Sequence, residues 1–306
     1  MEIGIALPHY GANASPDAIV HVAQSAEQIG LGSLWVLERW LRPTAPVNSG
    51  WGPPAVLADY YGTVYDPIET LTFVAAKTSR VKLGTSIIVA PLHSPVLLAR
   101  RFATLDQFSG GRAIAGLGQG WMDKEFRTAN VSKKYKGEGF GEFIEAMRAV
   151  WGPNPVSYQG KLYQIPESQI DPKPVQVGGP PIIAGANAPA AIERAARLAD
   201  GINPFFMNRD QFQQMVTGFR DMAEAAGRDS QKLQIVIRSN SYISETAVAP
   251  EQRQPMNGSL DQISDDLRWL AALNINHVFF DLNMSYVPVD KQLSYVDQLH
   301  RTFVQG

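Results

Sequence analysis

Short runs rich in Ile, Val and Leu alternate along this chain with segments whose apolar residues recur at helical spacing. Ile3–Leu7 reads as a first strand. Ser15 then stands as a helix N-cap before Pro16, and Ile19, Val20, Ala23, Ala26 and Ile29 form one stripe that ends at Gly30. Ser33–Leu37 is the second strand. Asp66-Pro67-Ile68-Glu69 has the form of a capping box and opens a second helix, to about Ser79. Val81–Val89 is the third strand. Ser94-Pro95 opens the third helix, with Leu97, Leu98, Phe102, Leu105 and Phe108 facing inward, and Ala113–Leu117 is the fourth strand. A fourth helix runs from about Gly139 to Trp151 with Phe140, Phe143, Ile144 and Met147 as its face. Pro181–Ala184 is strand five and Pro189 begins helix five. Gly201–Pro204 is a short strand six, and Asn208 caps helix six, which ends near Gly227. Leu233–Ile237, a helix from Ser259 to Leu273, His277–Leu282 and a helix over Lys291–Val304 complete the pattern.

Eight strand–helix pairs in strict alternation imply a parallel sheet covered on its outer face. Within 306 residues they fit the closed (β/α)8 TIM barrel as one domain. An open doubly wound sheet is the alternative, but it would carry phosphate-binding glycines after its first strand, where this chain reads LPHYGANAS. Three connections are long: 38–65, 152–179 and 239–257. They read as insertions at the strand ends, where barrel sites form, and long loops there commonly serve as lids or binding elements. The second is Pro-rich and holds a possible small hairpin, Val156–Tyr158 with Leu162–Gln164; dimer packing or decoration explains it as well as a lid does. The first is aromatic and reads as a pocket wall.

Composition narrows the function. Hydrophobic residues are 45% and charged residues 18%, as in a globular protein with a large core, and the net charge of −2 makes no general field for nucleic acid or an anionic membrane. The absence of cysteine excludes disulfides, thiolate metal sites and a cysteine nucleophile. MEIGIALPHYG lacks the basic start and apolar run of a signal peptide, and no stretch approaches the ~18 apolar residues of a spanning helix. A cytoplasmic protein is the expectation.

Several residues carry candidate chemistry. Gly116, Gly118 and Gly120 alternate where strand four ends; they either admit a ligand against bare backbone or relieve a crowded barrel corner. The Ala184–Ala188 turn before Pro189 offers free amides at the positive end of a helix, a natural phosphate site, or else a plain cap by Asn187 or Ala188. His9 and His93 follow strands one and three and either exchange protons or simply pack. Arg238, Asn240 and Asp281 end strands seven and eight, facing the mouth or forming a structural ion pair. No metal, Walker, GxSxG or nicotinamide pattern is present.

The segments LWVLER, YDPIETLTFVAAKTSRVKLGTSIIVAPLHSPVLLARRFATLDQFSGGRAIAGLGQGW, YQGKLY, PKPVQ and AGANAPAAIERAARLADG follow one another in this order. Together they resemble the bacterial luciferase-like flavin and deazaflavin oxidoreductases, over roughly residues 1–205, in the style of the coenzyme F420-dependent branch. The resemblance implies a cofactor across the C-terminal mouth of the barrel. Thr85-Ser86-Ile87 matches the place of a non-proline cis peptide behind the ring. Gly116, Gly118, Gln119 and Gly120 would lie beside the ring, and Gly185, Ala186, Asn187 and Ala188 would hold its phosphate. Many deazaflavin relatives have Asp-His where this chain has Glu38-Arg39, with the histidine near the carbon that takes the hydride. Arginine stays protonated and is no general base; it would pair with Glu38 or hold an anionic part of cofactor or substrate. Trp121 replaces an acidic group of some relatives and transfers no proton.

The expected function is therefore hydride transfer between F420 and a small organic substrate. Glu38, Arg39 and His9 are the catalytic candidates, and Trp40, Trp51, Tyr60, Tyr61 and Trp121 the substrate walls. Two alternatives stand beside it: an FMN-dependent monooxygenase served by a partner flavin reductase, and a catalytically inert binding protein. The resemblance also implies a homodimer, with the second to fourth helices available for it.

Overall fold

The computed structural model describes every residue except Trp51, Met207 and Gly306, and the backbone alone of Gln305. The strand β1 (Glu2–Ala6) leads through α1 (Pro16–Ile29) to β2 (Ser33–Val36) and α2 (Pro67–Ala75). The third barrel strand comes in two pieces, β3 (Lys82–Thr85) and β4 (Ile88–Val89), on either side of a cis Ser86–Ile87 peptide bond. After α3 (Pro95–Ser109) come β5 (Ala113–Gly118), a short α4 (Asp123–Thr128) and α5 (Glu138–Trp151). A hairpin of β6 (Val156–Gln159) and β7 (Gln164–Ser168) precedes β8 (Ile182–Ala184) and α6 (Pro189–Leu198). The remaining pairs are β9 (Gly201–Ile202) with α7 (Arg209–Ala225), β10 (Gln234–Ser239) with α8 (Leu260–Ala272), and β11 (His277–Phe280) with α9 (Val289–Gln305).

All strands outside the hairpin pair in parallel, and the β3–β5 pairing, Leu83 opposite Ala113, closes the sheet on itself. The expected eight-stranded barrel is what forms. Its lumen is filled by Ala6, Trp35, Ile114, Ile183, Val236 and Phe279, one from each of six strands. Trp35 stacks on Phe279 at 4.7 Å, and it fits because a Cβ on Gly84 would lie 2.4 Å from its ring. A second apolar layer lies between strands and helices.

Several expectations change. The second helix stops at Ala75 rather than Ser79: Arg112 takes the Ala75 carbonyl and Glu27 takes the Ser79 amide, the two groups that one more helical turn would have joined. Leu97 and Phe108 are exposed, not inward. Leu98, Phe102 and Leu105 set the buried stripe, and at ~100° per residue the other two fall about a quarter-turn away. With Phe73 they lie on the outer side of α2 and α3, among the helices expected to face a second copy. The 152–179 connection joins α5 to β8, so it belongs to the helix-to-strand end and not to the mouth. It is tied there to the ends of α3 and α5: Gln107 donates to Lys173 O, and Lys173 to Val150 O. The connection 119–137 between β5 and α5, which carries α4, takes its place as a mouth insertion.

The floor of the barrel contains a group sensitive to acid. His277 is buried beside Trp35; the Trp35 indole donates to Ser33 Oγ, and the Ser33 hydroxyl shares a hydrogen bond with His277 Nε2. Burial, with Lys82 and the N-terminal amine adding to it, lowers the His277 pKa to about 3. The unfolded chain binds this proton near the ordinary value of 6.5. Between those values the unfolded state holds more protons, so stability falls as pH falls. From pH 7 to pH 5 the expected loss from His277 is about 2 kcal/mol, and His9, also lowered by burial, acts in the same direction. Urea unfolding at the two pH values checks this: His277→Gln should lose about 2 kcal/mol less than the wild type, and equal losses would contradict the assignment.

Candidate active site

At the C-terminal mouth, the end of the third barrel strand crosses over β5. The Thr85 hydroxyl donates to Gly116 O (2.7 Å) and accepts from Gly116 N (2.9 Å). Ser86 donates to Asn203 Oδ1, whose amide donates in turn to Val236 O. Ile87 is left half-buried at the opening. A Cβ on Gly116 would lie 1.6 Å from Thr85 O, one on Gly118 2.4 Å from Ile87, and one on Gly120 2.4 Å from Val89. The space beside the three alternating glycines is thus filled by Thr85, Ile87 and Val89. That crowding is what the crowded-corner explanation expects of the side-chain side of these glycines. Gly185 differs. A Cβ there would meet Ile87 at 3.5 Å, an ordinary contact, so packing does not require a glycine at this position. Gln119 is turned away, accepting from Gly137 N.

The turn Gly185-Ala186-Asn187-Ala188 leads into α6. Asn187 does not cap that helix; its side chain accepts from Phe205 N. Ala188 occupies the N-cap and makes no side-chain bond; Pro189 has no N–H and Ala191 donates to Ala188 O, so Ala190 N is the first-turn amide that no N-cap side chain covers.

Across the mouth, Arg238 and Asp281 form an ion pair of 2.8 Å. Tyr10 donates to Asp281 Oδ1 at 2.9 Å, and Arg238 reaches the Tyr10 hydroxyl at 3.3 Å and Ser86 O at 3.5 Å. Burial opposes the Arg238 charge, but Asp281 and Tyr10 hold its pKa above the arginine range. Burial raises Tyr10 well above its usual value, aided by Asp281. It pushes Tyr60 up to about 12, aided by Tyr61 and Tyr242. These phenols keep their protons at neutral pH and act as donors. Tyr60 and Tyr61 sit on one short turn, and Tyr61 stacks on Tyr10 at 6.0 Å. Asn240 is exposed.

The third group lies at the end of β2. Glu38 is buried; it accepts from Val89 N and pairs with His93 at 2.7 Å, and Trp40 packs edge-on against that histidine. Arg39 does not pair with Glu38, as one expectation had it, because Glu38 is already engaged on the other side. Its Nη1 meets Glu125 Oε1 at 3.0 Å, and its guanidinium lies over the rings of Trp121 (5.0 Å) and Tyr61 (5.5 Å). A cleft of about 380 Å³ opens between these residues, the start of α2 and Thr128. His9 is corrected: it is fully buried, with Nδ1 on Leu7 O and Nε2 receiving Leu37 N, so it braces the strand ends and does not face the mouth. Trp51 lies outside the described residues.

Glu125 escapes the sequence reading. It is 2% exposed, and one oxygen accepts from Arg39, Trp40 N and Leu41 N. The six-residue α4 that carries it is too short for a periodic signal; the buried Phe126 beside it was the only hint.

Among the described residues no group of His, Asp or Glu is arranged to hold a metal, and no helix is long and apolar enough to cross a membrane. Comparison with known proteins gives a match of residues 1–277 to the family described as luciferase-like monooxygenase. An F420-dependent glucose-6-phosphate dehydrogenase of Kineococcus radiotolerans is 31% identical over 220 residues, 70% of this chain and 60% of that protein. An FMNH(2)-dependent dimethylsulfone monooxygenase of Pseudomonas putida is 29% identical over 167 residues, 54% of this chain and 45% of that protein. In structure, the coenzyme F420-dependent tetrahydromethanopterin reductase of Methanopyrus kandleri matches 97% of each chain with a TM-score of 0.76 at 20% identity, a likeness of fold.

Proposed function

Since this chain belongs to the luciferase-like monooxygenase family, we propose that it is an oxidoreductase passing a hydride between coenzyme F420 and a small organic molecule at the barrel mouth. The observation that carries the reading is half-buried Ile87 at the mouth, packed beside Gly185 and followed by the start of α6, whose N-cap Ala188 makes no side-chain bond. An apolar side chain there suits the face of a flat ring, and the positive end of a helix suits a phosphate. The residues present therefore suit the group. When bound, it supplies the ring carbon that gives or takes the hydride.

The chain's own residues orient and shelter. Ile87 would back the ring, and the turn Gly185–Ala188 would hold the phosphate through its later amides, the Gly185 amide being bonded to Leu117 O. Arg238, tied to Asp281 and Tyr10, holds the Ser86 carbonyl from below. Tyr60, Tyr61, Trp40 and Trp121 wall the substrate side. Arg39 supplies fixed charge and not a base. The dimethylsulfone monooxygenase relative supports a second reading, in which reduced FMN from a partner reductase activates dioxygen. The longer alignment, with the F420-dependent relative, favours the first.

A spectral titration with both cofactors tests the choice. The deazaflavin is expected to bind at least ten times more tightly than FMN. Tight FMN binding without deazaflavin binding overturns it, and oxygen uptake with reduced FMN would establish the second reading. Tight deazaflavin binding without turnover on a panel of carbonyls and alkenes would leave a binding protein.

A further inference from the structure

The chemistry of Arg39 points to the kind of molecule the mouth accepts. Its side chain is 10% exposed, and the guanidinium carbon lies over two aromatic rings, Trp121 at 5.0 Å and Tyr61 at 5.5 Å. Ring faces stabilise a cation but do not receive its in-plane N–H groups. The described hydrogen bonds of Arg39 leave from Nη1 alone, to Glu125 Oε1 and to the sulfur of Met122. That carboxylate oxygen also serves the amides of Trp40 and Leu41, so its charge is divided among three donors. Arg39 Nε, shielded from water, has no partner among the described residues. A buried charged donor left unmet is costly, and a fold keeps one where a ligand meets it.

We infer that Arg39 receives a carboxylate of the substrate, lying in the guanidinium plane along the Nε–Nη2 edge. That edge presents two parallel donors at the spacing of two carboxylate oxygens. A carboxylate meets that edge with two coplanar oxygens, whereas a sulfonate or phosphate carries a third oxygen out of the plane, toward neighbouring aromatic rings. Because Nε is shielded from water, a side chain beside it must move aside when the ligand binds. The substrate class is then a small organic acid, and its aromatic members gain most from Trp40, Tyr60 and Tyr61. The inference rests on the reading of this mouth as the site of reaction.

Calorimetry on the full chain, with and without deazaflavin, tests it with benzoate, benzamide and benzenesulfonate at neutral pH. Benzoate is expected to bind at least ten times more tightly than either analogue. Arg39→Gln should weaken benzoate at least tenfold and leave benzamide unchanged, and Arg39→Lys, lacking the planar edge, should restore only part. Equal binding of the three compounds by the wild type, or no binding of benzoate, overturns the inference without any variant. If Arg39→Gln instead loses deazaflavin affinity while benzoate binding persists, the edge belongs to the cofactor and the inference falls. If benzoate discriminates as expected but no deazaflavin binds, the carboxylate site stands and the proposed hydride transfer fails.

Discussion

Gly116→Ala is expected to lower the unfolding free energy by on the order of 5 kcal/mol. The added Cβ would lie 1.6 Å from the Thr85 carbonyl oxygen, a backbone atom that no side-chain rotation relieves. Making room means moving the end of β3 off β5, which also breaks both bonds between the Thr85 hydroxyl and Gly116. Two such bonds contribute about 1 kcal/mol each, and overpacking a rigid core adds 1–3 kcal/mol or more. In a chain this long each kcal/mol moves Tm by roughly 2 °C, so a fall of about 10 °C is expected by calorimetry. Gly185→Ala is the control. Its Cβ meets Ile87 at 3.5 Å, and stability should stay within about 0.5 kcal/mol of the wild type. Equal losses in the two variants would show that crossing of the third strand over β5 is not what requires Gly116.

Glu125→Ala is expected to cost on the order of 3–5 kcal/mol and to loosen the mouth. Removing the carboxylate leaves the nearly buried Arg39 charge without its acidic partner and the amides of Trp40 and Leu41, at the edge of the mouth, without an acceptor. The Arg39 guanidinium would then lose the contact that holds it against Tyr61 and Trp121. Glu125→Gln retains one acceptor oxygen and should cost less than half as much. Urea denaturation gives the stability change, and limited proteolysis within 40–65 reads the loosening. A loss below about 1 kcal/mol, typical of exposed pairs, would contradict the buried latch.

Much of the fold was legible because its signals are local. Ser15 before Pro16, Asn208 and Ser259 cap their helices as expected, since a cap needs only a few neighbouring residues. Apolar runs between amphipathic segments likewise marked each barrel strand. Errors arose where a distant residue decided. Arg112 ended α2 early, and the buried faces of neighbouring helices left Leu97 and Phe108 outside. The 152–179 connection was misassigned to the mouth because its length was visible while the end of the barrel it serves was not.

The site divides in the same way. The ordered motifs point to Thr85–Ile87, Gly116–Gly120 and Gly185–Ala188. Alternating glycines look alike in a sequence whatever lies against them, and only the folded barrel shows Thr85, Ile87 and Val89 filling the space on their side-chain side. His9 read as a loop histidine until Leu7 and Leu37 were seen to occupy both its nitrogens. The partner of Arg39 is Glu125, 86 positions away. Periodicity and capping act over a few residues, so the sequence alone determined an eight-fold alternation of strands and helices and the stretch of chain that forms the mouth. Ion pairs, close backbone approach and burial join residues from different strands, so only the tertiary structure decided which glycines have a neighbouring strand on their side-chain side, which charges are met and which buried donors lack a partner among the described residues.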